Sequence, residues 1–133
     1  MRPLRRRTAR HRQRWLLLKP EQLALRALRT ADRSRAELDA RLERKGVTEA
    51  ERAELLDELE RLGYLDDERV AALRAARLAE RGYGDAHIRA DLQVRGLPTE
   101  EALAQLEPEP ERATRFARRG ASWLARRGFG EPD

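Results

Sequence analysis

The chain has 133 residues, enough for one ordinary domain or a short array of small repeats but too few for a large catalytic cavity. Charged residues make up 40% of it and aromatic residues 5%, and its apolar set is mostly Leu and Ala, a balance that favours helices with wet faces over sheet. There is no cysteine, which excludes disulfides and thiol chemistry, and the apolar run Trp15 to Leu18 is far too short to span a membrane. The net charge of +5 is unevenly placed. Residues 1–19 hold eight cations (Arg2, Arg5, Arg6, Arg7, Arg10, Arg12, Arg14 and Lys19) and no acid, so the 21 basic and 24 acidic residues that remain leave 20–133 at −3. This arm reads either as an extension that touches phosphates or as a solubility tail. It shares the Arg-rich, acid-free character of an organelle transit peptide, but it is poor in serine and runs directly into an apolar segment. A soluble, cytoplasmic protein without membrane contact is expected.

From Pro20 the helix punctuation is legible. Pro20 suits a first turn, and Leu23, Ala24, Ala27 and Leu28 then fall on one stripe. Ser34 with Glu37 forms a capping box that opens a second helix; Leu38 and Leu42 make its apolar face, and Gly46 closes it. Thr48 with Glu51 opens a third, faced by Leu55, Leu56, Leu59 and Leu62 and closed at Gly63. After Tyr64 and Leu65, Asp66 and Asp67 cap a longer helix running to Gly82.

Shifting residues 34–47 by 50 then places them on 84–97: Ala36 on Ala86, Leu38 on Ile88, Leu42 on Leu92, Lys45 on Arg95, Gly46 on Gly96 and Val47 on Leu97. A repeat with its terminal glycine in register is implied. A further helix recurs, with Thr99 as cap and Leu103 and Leu106 inward, up to Glu107-Pro108-Glu109-Pro110, which reads as a stiff acidic linker. Residues 112–127 read as helix broken at Gly120, and Leu124, Gly128 and Phe129 repeat the ending Leu42, Gly46 and Val47. The expected architecture is all-α: tandem three-helix, helix-turn-helix-like repeats in an elongated, curved array. Its parts are a basic arm 1–19, repeat 1 at 20–65, repeat 2 at 66–107, and at 108–133 an acidic Pro linker with an incomplete third repeat.

These motifs resemble the RecX family, regulators of the RecA recombinase. The resemblance is carried by Arg33-Ser34-Arg35-Ala36-Glu37-Leu38 with Leu42 and Lys45-Gly46, and by Leu62-Gly63-Tyr64-Leu65-Asp66-Asp67-Glu68-Arg69. It continues through Arg81-Gly82-Tyr83-Gly84 with Ile88, Leu92 and Arg95-Gly96, and through Leu124 with Arg126-Arg127-Gly128-Phe129. Together the motifs span about residues 23 to 130. The chain departs from the family in carrying Val70 where Phe is common, in the acidic Pro stretch and in the absence of a last helix. The resemblance implies three tandem three-helix repeats lying in the groove of a RecA filament and inhibiting its ATPase, strand-exchange and coprotease activities. It thereby implies a role in DNA repair, recombination and the SOS response.

A filament offers single-stranded DNA phosphates and a protein groove. The cations expected to meet them are Arg33, Arg35, Arg41, Arg44 and Lys45 in the first unit, Arg74, Arg77, Arg81, Arg89 and Arg95 in the second, and Arg126 and Arg127 in the third. The acids Glu49, Glu51, Glu54, Asp57, Glu58 and Glu60 concentrate instead on the third helix, and the plain alternative is that all are solvated faces. Tyr64 and Tyr83 read as staples between helices, and Trp15, Phe116, Trp123 and Phe129 as packing anchors.

Catalysis is not expected. Asp66 and Asp67 are explained as caps, His11 and His87 are isolated histidines that, with no cysteine in the chain, form no metal-ligand spacing, and Gly82-Tyr83-Gly84 lacks the surroundings of a phosphate loop. No catalytic residue, metal, cofactor or small-molecule substrate is assigned. The partners expected are the RecA filament, the single-stranded DNA within it and, secondarily, free DNA. The competing reading is a helical DNA-binding protein or transcriptional regulator; against it, the helix starts carry acids rather than short polar base readers. A purely structural helical adaptor is a third.

Overall fold

A computed structural model describes residues 19–131. They form eight α-helices: α1 (Pro20–Thr30), α2 (Arg35–Arg44), α3 (Glu49–Arg61), α4 (Asp67–Glu80), α5 (Asp85–Val94), α6 (Glu100–Ala104), α7 (Glu109–Arg115) and α8 (Ala121–Arg126). A 3₁₀ turn, Ala117–Arg119, joins the last two, and no strand occurs among the described residues. The basic arm to Leu18 lies outside them.

Two cores divide the helices. Ala24 and Ala27 of α1, Leu38 and Leu42 of α2, and Leu56 and Leu59 of α3 bury together with Val47 and Leu65. Val70, Ala71, Ala75 and Leu78 of α4, Ile88 and Leu92 of α5, and Ala102 of α6 bury with Leu97. Alanines on α1 and α4 let the paired helices approach closely, so each three-helix unit closes around a handful of Leu and Ile side chains.

Helix ends follow the sequence grammar with instructive exceptions. Ser34 Oγ accepts from the Glu37 amide at 3.0 Å, and the Glu37 carboxylate accepts from the Ser34 amide at 3.2 Å, so the predicted capping box is complete. At the other end of α2, Gly46 (φ +85°) donates to Glu43 O at 3.0 Å and Val47 to Leu42 O at 3.1 Å, two bonds that satisfy carbonyls left over by the helix.

Four expectations are corrected. Thr48 accepts from the Glu51 amide at 3.3 Å, but the reciprocal bond of a capping box is not made. Thr99 does not cap α6; its hydroxyl donates to Leu97 O at 3.1 Å, which leaves the amides of α6 without its help. Tyr64 is no staple: it stands 56% exposed while the next residue, Leu65, fills the core position. The acidic Pro stretch is not a linker. Pro108 precedes the first turn of α7 and Pro110 lies within it, where a missing N–H costs nothing.

Candidate functional site

The units join by a contact that occurs twice. At the first junction, Ser34 Oγ donates to Arg95 O at 2.5 Å, and the Arg35 amide donates to Asp67 Oδ1 at 2.8 Å. At the second, the Gly84 amide donates to Arg127 O at 2.7 Å, and the Asp85 amide donates to Glu109 Oε1 at 3.1 Å. In both, the second helix of one unit is capped by a carboxylate on the first residue of the next unit's first helix, and its N-cap residue bonds the carbonyl ahead of that unit's terminal glycine. Asp67 is therefore not a cap of its own helix: Asp66 fills that role by accepting from the Arg69 amide at 3.1 Å, while Asp67 reaches across to α2. Burial between units raises the Asp67 carboxyl above the ordinary carboxylate range, against the lowering effect of the Arg35 amide.

The sequence offsets of this contact, 42 for α4 onto α7 and 32 for α5 onto α8, place Arg74 on Phe116 and Asp91 on Trp123. Within each unit the two positions are in contact, Arg74 with Asp91 and Phe116 with Trp123. Arg74 grips Asp91 through Nε and, at 2.9 Å, through Nη2, which holds the Asp91 carboxyl below its usual range. Phe116 stacks on Trp123 with ring centroids 5.7 Å apart. Likewise Arg95 pairs with Glu37 at 3.4 Å, whereas its counterpart Arg127 lies 3.6 Å over the Tyr83 ring, and Tyr83 stacks on His87. The same position thus carries an ionic network at the first junction and an aromatic one at the second.

That difference leaves the first junction open. A groove of about 500 Å³ is lined by Leu28, Arg29, Thr30, Ala31 and Asp32 from the end of α1 and by Val70, Leu73, Arg74, Arg77 and Arg95 from the second unit. At the second junction Phe116 and Trp123 press against Gly82, where a Cβ would lie 2.9 Å from Trp123 Cη2 and 3.1 Å from Phe116 Cε1.

Of the cations expected to bind, the structure brings Arg74, Arg77 and Arg95 together in this groove and adds Arg29 from the last turn of α1, a helix to which the sequence assigns no binding cation. Several others serve the fold. Arg33 donates to Ala27 O at 3.0 Å and Thr30 Oγ1 at 3.2 Å; Arg35 bridges Asp57 and Glu60, each at 2.8 Å; Arg89 binds Glu100 at 2.8 Å. Arg127 donates to the carbonyls of Gly82 and Arg81, and Lys45 is engaged within the chain. Arg41, Arg44, Arg77, Arg81 and Arg126 are exposed, and their side chains have no ion-pair partner among the described residues. Those residues also contain no group of three His, Asp or Glu able to hold a metal ion, and no helix long and apolar enough to cross a membrane.

No family model and no curated protein matches the sequence. Among solved structures, the chain is similar to the crystal structure of RecX from Lactobacillus salivarius, with a TM-score of 0.72 and 20% sequence identity. The similarity covers 84% of this chain and 87% of that one, so it takes in the array of units rather than one of them. The chain has a RecX-like fold.

Proposed function

We propose that this protein is a regulator of the RecX type, binding RecA filaments and restraining their ATPase, strand-exchange and coprotease activities, without catalysis of its own. The reading places it in the cytoplasm, in DNA repair and recombination under the SOS response, with RecA and its bound single-stranded DNA as partners. It is carried by the extent of the fold likeness, 84% of this chain on 87% of a RecX structure, joined to the order of motifs along the sequence. A repeat array with exposed, unpaired arginines on successive units suits a polymeric, regularly charged target. The test is RecA's single-stranded-DNA-dependent ATPase: the protein slows it at well under one copy per RecA, and an unchanged rate at large excess overturns the reading. Direct DNA binding is the second reading, favoured by Arg41 and Arg44, which stand exposed three residues apart on α2. Gel shifts on single-stranded and duplex DNA without RecA distinguish it.

A further inference from the structure

We infer that the groove at the first junction is a docking site for an acidic protein segment that inserts an apolar side chain. Its aliphatic lining comes from Leu28, Val70 and Leu73, and Leu73 is 45% exposed although it sits in the middle of α4. Its charged lining is four arginines and one acid, Asp32. The four differ in state. Arg74 and Arg95 are fixed by Asp91 and Glu37, so they shape the wall and spend their charge inside the molecule. Arg29 and Arg77 have no ion-pair partner among the described residues and line the groove from two different units.

Aliphatic side chains and two available guanidiniums in one groove match a leucine-like or aromatic residue flanked by carboxylates, each a suitable fork partner for Arg. Single-stranded nucleic acid fits less well. No aromatic side chain among the described residues lines the groove for a base to stack on, and Asp32 would lie against a phosphate track. The second junction shows how such a position is filled when the chain supplies the occupant itself: Phe116 and Trp123 close it over Gly82. The first junction keeps the space and the charge with no occupant among the described residues, and on this proposal the occupant comes from another protein.

On the reading above, that protein is the RecA filament, and the inference rests on it only for the partner's identity. The decisive experiment titrates the full-length protein with an acetylated Glu-Glu-Leu-Phe-Glu-Glu peptide and, separately, with a six-nucleotide oligo(dT), following backbone amide resonances. The peptide shifts residues 28–32 and 70–77. Arg29→Glu with Arg77→Glu weakens it at least about tenfold, as does Leu73→Ser to a smaller degree, while Arg41→Glu with Arg44→Glu leaves it unchanged. All substituted side chains are exposed, so helical content is retained. Equal or tighter oligo(dT) binding at the groove, or no peptide shift there at millimolar concentration, overturns the proposal. Sedimentation with RecA filaments then separates the two readings. Peptide binding without filament binding removes RecA as the partner and leaves the groove assignment standing. Filament binding that is indifferent to Arg29→Glu with Arg77→Glu removes the groove from the filament contact.

Discussion

Arg112 is the one basic side chain among the described residues that is almost wholly buried, at 3% exposure, and it takes the place that Val70 holds in the preceding unit. Its guanidinium grips the Asp85 carboxylate, with one bond at 3.1 Å, and donates from Nε to Glu107 O at 3.1 Å. Burying a cation is costly unless it is paired, so the two partners are not equivalent. Asp85→Ala strands the guanidinium and is expected to cost about 3 kcal/mol or more. Arg112→Met leaves a carboxylate that is 31% exposed and can turn to water, at a cost of about 1 kcal/mol. Urea midpoints of the two variants check the order.

Two carboxylates at the first junction should bend the pH profile in opposite senses. Asp91 is held low by its hydrogen bond to Arg74, so its contribution is present above the unfolded pKa and is lost as pH falls through the folded one. Asp67 is raised by burial, so the folded protein binds the extra proton and stability falls as pH rises through the window between its unfolded and folded values. Thermal unfolding from neutral pH into the acid range should therefore show a flatter acid limb for Asp91→Asn. Asp67→Asn, which keeps an acceptor for the Arg35 amide, should gain stability near neutral pH and lose that gain in acid.

At the scale of the element, the six glycines with positive φ share a backbone conformation but not an environment. A Cβ on Gly46 meets nothing within 4 Å, so Gly46→Ala costs only the strained conformation, about 1 kcal/mol. Gly84 has an ordinary φ, yet a Cβ there would overlap the backbone of Gly128 and Phe129, atoms that cannot rotate away. Gly84→Ala should therefore be the more damaging, with the loss falling on α7 and α8; denaturation midpoints and proteolysis near Gly120 measure both effects.

This contrast marks what could be read from the sequence. The capping box at Ser34, the glycine stops and the 50-residue offset were legible because they are local, each set by residues within one turn or by simple recurrence. The roles of Asp67 and Glu109 are hidden in the sequence for the opposite reason. Their partners, the amides of Arg35 and Asp85, lie 32 and 24 residues away, and an acid that caps a distant helix looks in sequence like one that caps its own or sits in a linker. The groove was half legible: Arg74, Arg77 and Arg95 stood out as charge, but nothing local announced that Arg29 would face them or that Arg33, Arg35 and Arg89 would be absorbed by the fold.

For the whole molecule, two junctions of one design imply stability that passes between neighbours and no further. Unit 1 touches unit 2 through Ser34, Arg35, Glu37 and Ala36, the last of which lies 2.8 Å from where a Cβ on Gly96 would stand. Unit 2 touches α7 and α8 through Gly84, Asp85 and Tyr83. The two sets lie at opposite ends of α5, whose C-terminal end serves the first junction and whose N-terminal end serves the second. Loosening the second junction with Gly84→Ala should release α7 and α8 and fray the start of α5, while Leu38, Leu42 and Leu56 keep the first core closed. Asp67→Ala cuts the shared boundary instead and should loosen α2 and α4 together. Amide hydrogen exchange resolved by helix distinguishes these patterns: protection lost in α7, α8 and the first turn of α5 but retained in α1 to α3 for the first variant, and lost on both sides of residue 67 for the second. Uniform loss across all helices in both would mean that the chain unfolds as one cooperative body, and the repeat description would then hold for its geometry alone.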